Sequence, residues 1–172
     1  MSDNRETILR AATSSIAASG LRGLRVNDVA AAAGVSSGLI YYHFTDRAGL
    51  LAATLDHINT QFARGAGAQD ARSALLGELG ASKAVRESSI AWNELRASAI
   101  FDTELAPAIA ATTRSWNDSI AAVLGDNAAD AEILTSLVEG LAARWLSGTI
   151  SRPHAEVLLT RAIDAILDSP QS

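Results

Sequence analysis

Between Ser36 and Arg47 the chain reads SSGLIYYHFTDR, which sets the hydroxyls of Ser36, Ser37, Tyr41 and Tyr42 beside the imidazole of His43 and the guanidinium of Arg47. These groups share one aptitude: they hydrogen-bond anionic oxygen, phosphate above all. Two tyrosines and a histidine in a row on so short a segment put polar tips into water, which packing alone explains poorly. Other chemistries lack the residues they need. Cysteine is absent, which excludes disulfides, thiolate metal sites and cysteine nucleophiles. His57 and His154 stand without a second histidine or a suitably spaced carboxylate, so no metal site is expected. Ser36 and Ser37 do not form a G-x-S-x-G elbow, and no glycine-rich phosphate loop exists; neither a catalytic residue nor a cofactor is expected.

The elements that must position this cluster are helices. Alanine and leucine dominate, proline occurs three times and no stretch alternates in the manner of a strand, so the fold class is all-α. Asp3 and Glu6 make a capping-box start, and Ile8, Leu9, Ala12 and Ile16 form one apolar stripe, predicting a helix over 4–19 that Gly20 ends. After the connector GLRGLRV comes a short helix with Val29, Ala30 and Ala33, then Gly34, then Ser36 as N-cap of a second short helix over 37–43. Two such helices joined by AGVS match a helix-turn-helix, with Gly34 permitting the sharp turn, Val35 plugging the angle, and Leu39, Ile40 and Phe44 pointing inward. Asp46 caps a fourth helix carrying Leu50, Leu51, Leu55 and Ile58. Beyond the glycine- and alanine-rich break at 64–71, longer helices are expected over 70–79, 82–101, 106–124, 128–147 and 153–168, about nine helices in all.

Charge is spread unevenly along the 172 residues, whose formal net charge is −5. Residues 1–50 carry five arginines against four carboxylates, and the other 122 carry nine cations against fifteen. A polyanion partner would meet the N-terminal third, because a local face sets the encounter potential. At 48% apolar content the chain can bury a core, and it has neither the apolar start of a signal peptide nor a membrane-length run, so a soluble cytoplasmic protein is expected.

The stretch VNDVAAAAGVSSGLIYYHFTDRAGLL closely resembles the DNA-binding domain of the TetR family of bacterial transcriptional repressors, whose helices two to four read like V-x-x-I-A-x-x-A-G-V-S-x-x-x-L-Y-x-H/Y-F-x-x-K-x-x-L. The likeness runs from Glu6 through Leu55. It implies base readout by Ser37, Gly38, Leu39 and Tyr42, and phosphate clamping by Ser36, Tyr41, His43 and Arg47. The chain departs from the pattern twice. Arg47 stands where the family usually has lysine, exchanging a point charge for a planar fork. Arg25 stands where a threonine usually caps helix two; the cap is then lost, though Asp28 still favours the positive end of the helix dipole. Arg25, with Asn27 beside it, joins the expected DNA-binding set.

The resemblance further implies a C-terminal helical unit that binds a small molecule and holds a homodimer, dividing the chain into a DNA-binding domain over 1–48 and a ligand-binding and dimerisation domain over 49–172. Ser89–Gly125 carries Trp92, Asn93, Arg96, Phe101, Trp116 and Asn117, apolar and aromatic groups interrupted by hydrogen-bonding ones, the mixture of a ligand pocket. This segment is similar to regulators of the betaine-responsive BetI group through a W-x-E/x-L … D-x-E-L pattern. Trp92 and Trp116 are equally suited to filling a large helical core. The last two helices hold Leu134, Leu137, Leu141, Trp145, Leu158, Ala162 and Ile166, more apolar surface than their own unit needs, which predicts a four-helix interface with a twofold partner.

These expectations amount to a regulator, most simply a repressor released from a palindromic operator in double-stranded DNA by an unidentified small-molecule effector, with no enzymatic activity and no membrane partner. A helical small-molecule carrier or enzyme without sequence-specific DNA binding is the alternative from another class. A protein-interaction adaptor is disfavoured by the hydroxyl and arginine character of the motif face, and an architectural DNA-binding role by the acidic remainder of the chain.

Overall fold

The computed structural model describes residues 2–65 and 70–168, with side chains described for 4–61 and 70–168. Those residues form nine helices: α1 Ser2–Gly23, α2 Val26–Ala33, α3 Ser37–Phe44, α4 Arg47–Gly65, α5 Ala71–Gly77, α6 Lys83–Ser98, α7 Ala106–Val123, α8 Ala128–Leu146 and α9 Arg152–Leu167. The all-α expectation is met. Asp3 of the expected capping box lies outside the described side chains, and 66–69 of the glycine- and alanine-rich break lie outside the described residues.

Two ends differ from expectation, the first for a tertiary reason and the second for a local one. Gly20 does break α1, with φ 70° and ψ 169°, but the chain recovers a further helical turn to Gly23. The break frees the Leu21 N–H, and the Glu94 carboxylate of α6 accepts it at 3.0 Å. Helix α6 stops at Ser98 rather than 101, and Ala99–Phe101 form turns closed by Phe101 N–H to Ser98 O at 3.0 Å.

The chain divides into two compact units, 1–60 with 87–112, and 61–86 with 113–172. In the first, the α1 stripe of Ile8, Leu9, Ala12 and Ile16 is wholly buried with Val29, Ile40, Phe44, Leu50 and Leu55. The buried Thr13 and Thr54 return their hydroxyls to the carbonyls of Leu9 and Leu50, four residues back, so neither leaves a polar group unsatisfied. The second unit is built on Leu75, Leu79, Leu134, Val138, Leu141 and Leu159, with Arg72 paired to Asp164 and the Arg86 guanidinium 5.8 Å from the Trp145 ring. Compactness thus groups α4 with α1–α3, whereas the division at 48 and 49 is one of expected function.

Candidate nucleic-acid interface

The interface is built from its turn upward. Gly34 ends α2 with φ 68° and ψ 31°, a left-handed conformation that costs glycine little. The Val35 N–H then returns to the Ala30 carbonyl at 3.0 Å, closing the helix end. Ser36 is extended at φ −79° and ψ 150°, and its Oγ accepts the Leu39 N–H at 3.2 Å, which starts α3. A valine at Gly34 should therefore destabilise the protein by about 1–2 kcal/mol, because a β-branched side chain resists that conformation. Denaturant unfolding would check this, and an unchanged midpoint would contradict it.

Within α3, Ile40 and Phe44 are buried and anchor the helix, while Leu39 is only half-buried. Tyr42 is 74% exposed and Tyr41 49% exposed. Ser37 lies one turn before Tyr41, and its Oγ donates to Asn27 Oδ1 at 2.7 Å, fastening α3 to α2. A Cβ on Gly38 would meet nothing closer than Ser36 Oγ at 3.8 Å, so the fold does not require glycine there. His43 is half-buried, its ring 5.3 Å from that of Tyr42 and edge-on to it. Arg25 begins α2 with no side-chain cap, as expected from its lack of an acceptor.

Arg47 opens α4 next to the Asp46 cap, whose carboxylate accepts the Gly49 N–H at 2.8 Å. One arm of its guanidinium is committed inward, Nη2 donating to the Leu21 carbonyl at 3.0 Å. Leu21 is thereby held at both backbone groups by side chains, Glu94 at N–H and Arg47 at C=O. Replacing Glu94 with alanine should cost about 1 kcal/mol in unfolding free energy, whereas glutamine, which still offers a carbonyl oxygen, should keep most of it. Equal midpoints for the two variants would refute the bond's contribution. Sequence reasoning missed this node because its partners lie 73 residues apart. It also missed Arg5, whose guanidinium sits 5.5 Å from the Phe44 ring and adds a cation beside α3.

The arrangement presents hydroxyls, an imidazole and arginines on and around an exposed two-turn helix after a tight turn, the constitution of a groove reader. The family model of the bacterial regulatory proteins of the tetR family matches residues 8–54. Over 98% of the chain and 100% of its own length, a solved protein from Rhodococcus sp. assigned to the TetR-family transcriptional regulators is 45% identical, with a TM-score of 0.87. The chain belongs to the TetR family of transcriptional regulators.

Regulators of the TetR family are DNA-binding transcription factors rather than enzymes. Two further solved structures share the TetR fold at lower identity. A transcriptional regulator from Rhodococcus sp. Rha1 is 22% identical over 95% of each chain, with a TM-score of 0.81. A Saccharomonospora viridis protein assigned as a transcriptional regulator, solved with choline, is 22% identical over 95% of this chain and 97% of its own, with a TM-score of 0.74. No curated protein matches the sequence. Among the described residues no group of three His, Asp or Glu side chains is placed to hold a metal ion, and no helix is long and apolar enough to cross a membrane.

The residues singled out for a ligand are distributed over both units. Trp92, Asn93, Arg96 and Phe101 fall in the first, Trp116 and Asn117 in the second. Trp92 is buried, whereas Phe101 stands 89% exposed. Asn93 Nδ2 donates to the Ser89 carbonyl at 2.8 Å, and Asn117 Oδ1 accepts the Thr135 hydroxyl at 2.7 Å, so both amides serve the fold. Trp116 packs half-buried on the core of the second unit.

Of the residues singled out for dimerisation, Leu134 and Leu141 are buried in the chain's own core, because α8 turns that face toward the core shared with α5 and α9. Their apolar area is covered before any partner arrives. Leu137, Trp145, Leu158, Ala162 and Ile166 remain half-buried at the core's edge, and Ile133, Val157 and Leu167 are exposed.

Proposed function

We propose that this TetR-family regulator is a cytoplasmic homodimeric repressor, released from a palindromic operator by a small-molecule effector. The observation that carries the DNA part is the exposure of Tyr41 and Tyr42 on α3, a helix whose turn, cap and apolar anchors are all satisfied within the protein. Aromatic rings left this exposed contribute little to the core and are suited to a groove. Ser37, Gly38, Leu39 and Tyr42 would face base edges, while Ser36, Tyr41, His43, Arg25, Asn27 and the outer arm of Arg47 would hold phosphates. Arg5 joins the phosphate set through its position over Phe44.

Dimerisation through α8 and α9 follows from apolar surface that the single chain leaves uncovered. Ile133, Leu137, Val157 and Leu158 supply it together with Ala162, Ile166 and Trp145. A twofold pair of α3 helices would read half-sites about 34–36 Å apart, or a multiple of a helical turn, and so gain the specificity that one helix lacks. The domain division at 48 and 49 then separates the DNA reader from the part that senses and dimerises. Effector release requires tighter ligand binding to the conformation that does not bind DNA, a coupling of about 1–3 kcal/mol. The choline complex of the Saccharomonospora viridis neighbour supports a small-molecule site within this fold.

Selection of bound sequences from a random DNA pool at fixed, near-physiological salt tests the proposal. Enrichment of an inverted repeat is the expected result. A folded, dimeric protein that enriches no motif would overturn it.

A further inference from the structure

In the first unit a cavity of about 260 Å³ lies between the start of α4 and the turn that leads into α7. Leu51 and Ala52 of α4 face Leu105 and Ala108 across it, and its charged groups are Arg47, Asp102 and Glu104. The carboxylate of Asp102 is held in place by the protein: its Oδ1 accepts the N–H groups of Glu104 at 3.0 Å and Leu105 at 3.1 Å. Arg47 is held as well, donating to the Leu21 carbonyl at 3.0 Å. Asp102 and Arg47 are thus pre-organised in a lining that is as polar as it is apolar, with two carboxylates against one committed guanidinium.

We propose that this cavity binds a small organic ammonium cation. At roughly 30 Å³ for each water-sized group, its volume accommodates about eight non-hydrogen atoms. Leu51, Ala52, Leu105 and Ala108 offer contacts to a hydrocarbon body that a hydrated metal ion, keeping its waters, would not use. The excess carboxylate favours a cation over an anion, and an ammonium N–H over a hydroxyl, through charge-assisted hydrogen bonds. None of the six residues singled out in the sequence for ligand binding lines it; of the DNA-binding set only Arg47 does, and the inference does not require that Arg47 hold phosphate. The site is partly open to solvent, so the affinity expected is modest, in the low-millimolar range.

Titration of the full chain with benzylammonium chloride at constant ionic strength, followed by amide NMR, tests this. Benzyl alcohol and benzoate serve as the neutral and anionic isosteres. Saturable shifts centred on Leu51, Ala52, Leu105 and Ala108 are expected with benzylammonium, about fivefold or more weaker binding with benzyl alcohol, and none with benzoate. The paired substitutions Asp102→Asn and Glu104→Gln should weaken benzylammonium about tenfold while asparagine preserves the turn. Ala108→Phe, which fills the cavity and leaves both carboxylates, should abolish binding. Equal binding of the alcohol, unchanged binding in the paired variant, or saturable shifts only elsewhere would overturn the proposal, as would no saturation by about 50 mM, far above the affinity expected.

Discussion

Tyr42→Ala should lower operator affinity by about thirtyfold or more while leaving helix content, melting temperature and the dimer unchanged. The ring is 74% exposed, so its removal takes almost no area from the core. At a base edge each half-site would lose about 1–3 kcal/mol, and the twofold axis doubles that loss. Because the residue is uncharged, the slope of affinity against salt should barely change. Arg47→Ala, by contrast, should flatten that slope by about one unit for each phosphate that the guanidinium neutralises. Electrophoretic or anisotropy titrations at three salt concentrations separate the two. Wild-type affinity in Tyr42→Ala would remove this residue from the interface, and loss of the dimer would mean that it serves the fold instead.

The second large effect concerns Glu78, which is 6% exposed at the end of α5, beside the buried Leu79. Burial pushes its carboxyl up to about 8, from an ordinary value of 4.5. Between those two values the folded protein keeps a proton that the unfolded chain has released. Raising pH through that window therefore favours unfolding, by about 1.4 kcal/mol per pH unit, and the loss ends once the folded state also ionises. Glu78→Gln, which stays neutral, should be more stable than the parent protein at pH 8 by several kcal/mol, and nearly equal to it at pH 4.5. Urea midpoints of both proteins at pH 5, 6.5 and 8 give the difference free of other titrating groups. A difference that stays constant across that range would show that Glu78 ionises normally.

The parts of this protein readable from its sequence are those decided within one or two helical turns. Ser36 and Asp46 are recognisable as caps because an oxygen three residues before an N–H reaches it whatever the rest of the chain does. Gly34 is recognisable as a turn for the same local reason, and the run from Val26 to Leu51 carries the family resemblance in its sequence alone. The break at Gly20 is also legible. The turn of helix beyond it is not, since Glu94 and Arg47 stabilise that turn from distant parts of the chain.

Local sequence is enough to dictate an all-α chain, a helix-turn-helix with its exposed aromatic pair, and membership of a regulator family. Periodicity, capping and turn chemistry act over a few residues and survive any arrangement of the helices. Which apolar residues are covered inside the chain, and which remain for partners, is settled by tertiary packing alone. Leu134 and Leu137 look alike in sequence, yet one is fully buried and the other sits at the core's edge. The same packing turns Arg47 partly inward, buries the carboxyl of Glu78, and makes a cavity from α4 and the turn before α7. Burial and charge environment are properties of neighbours, and in a helical protein those neighbours come from other helices far along the chain.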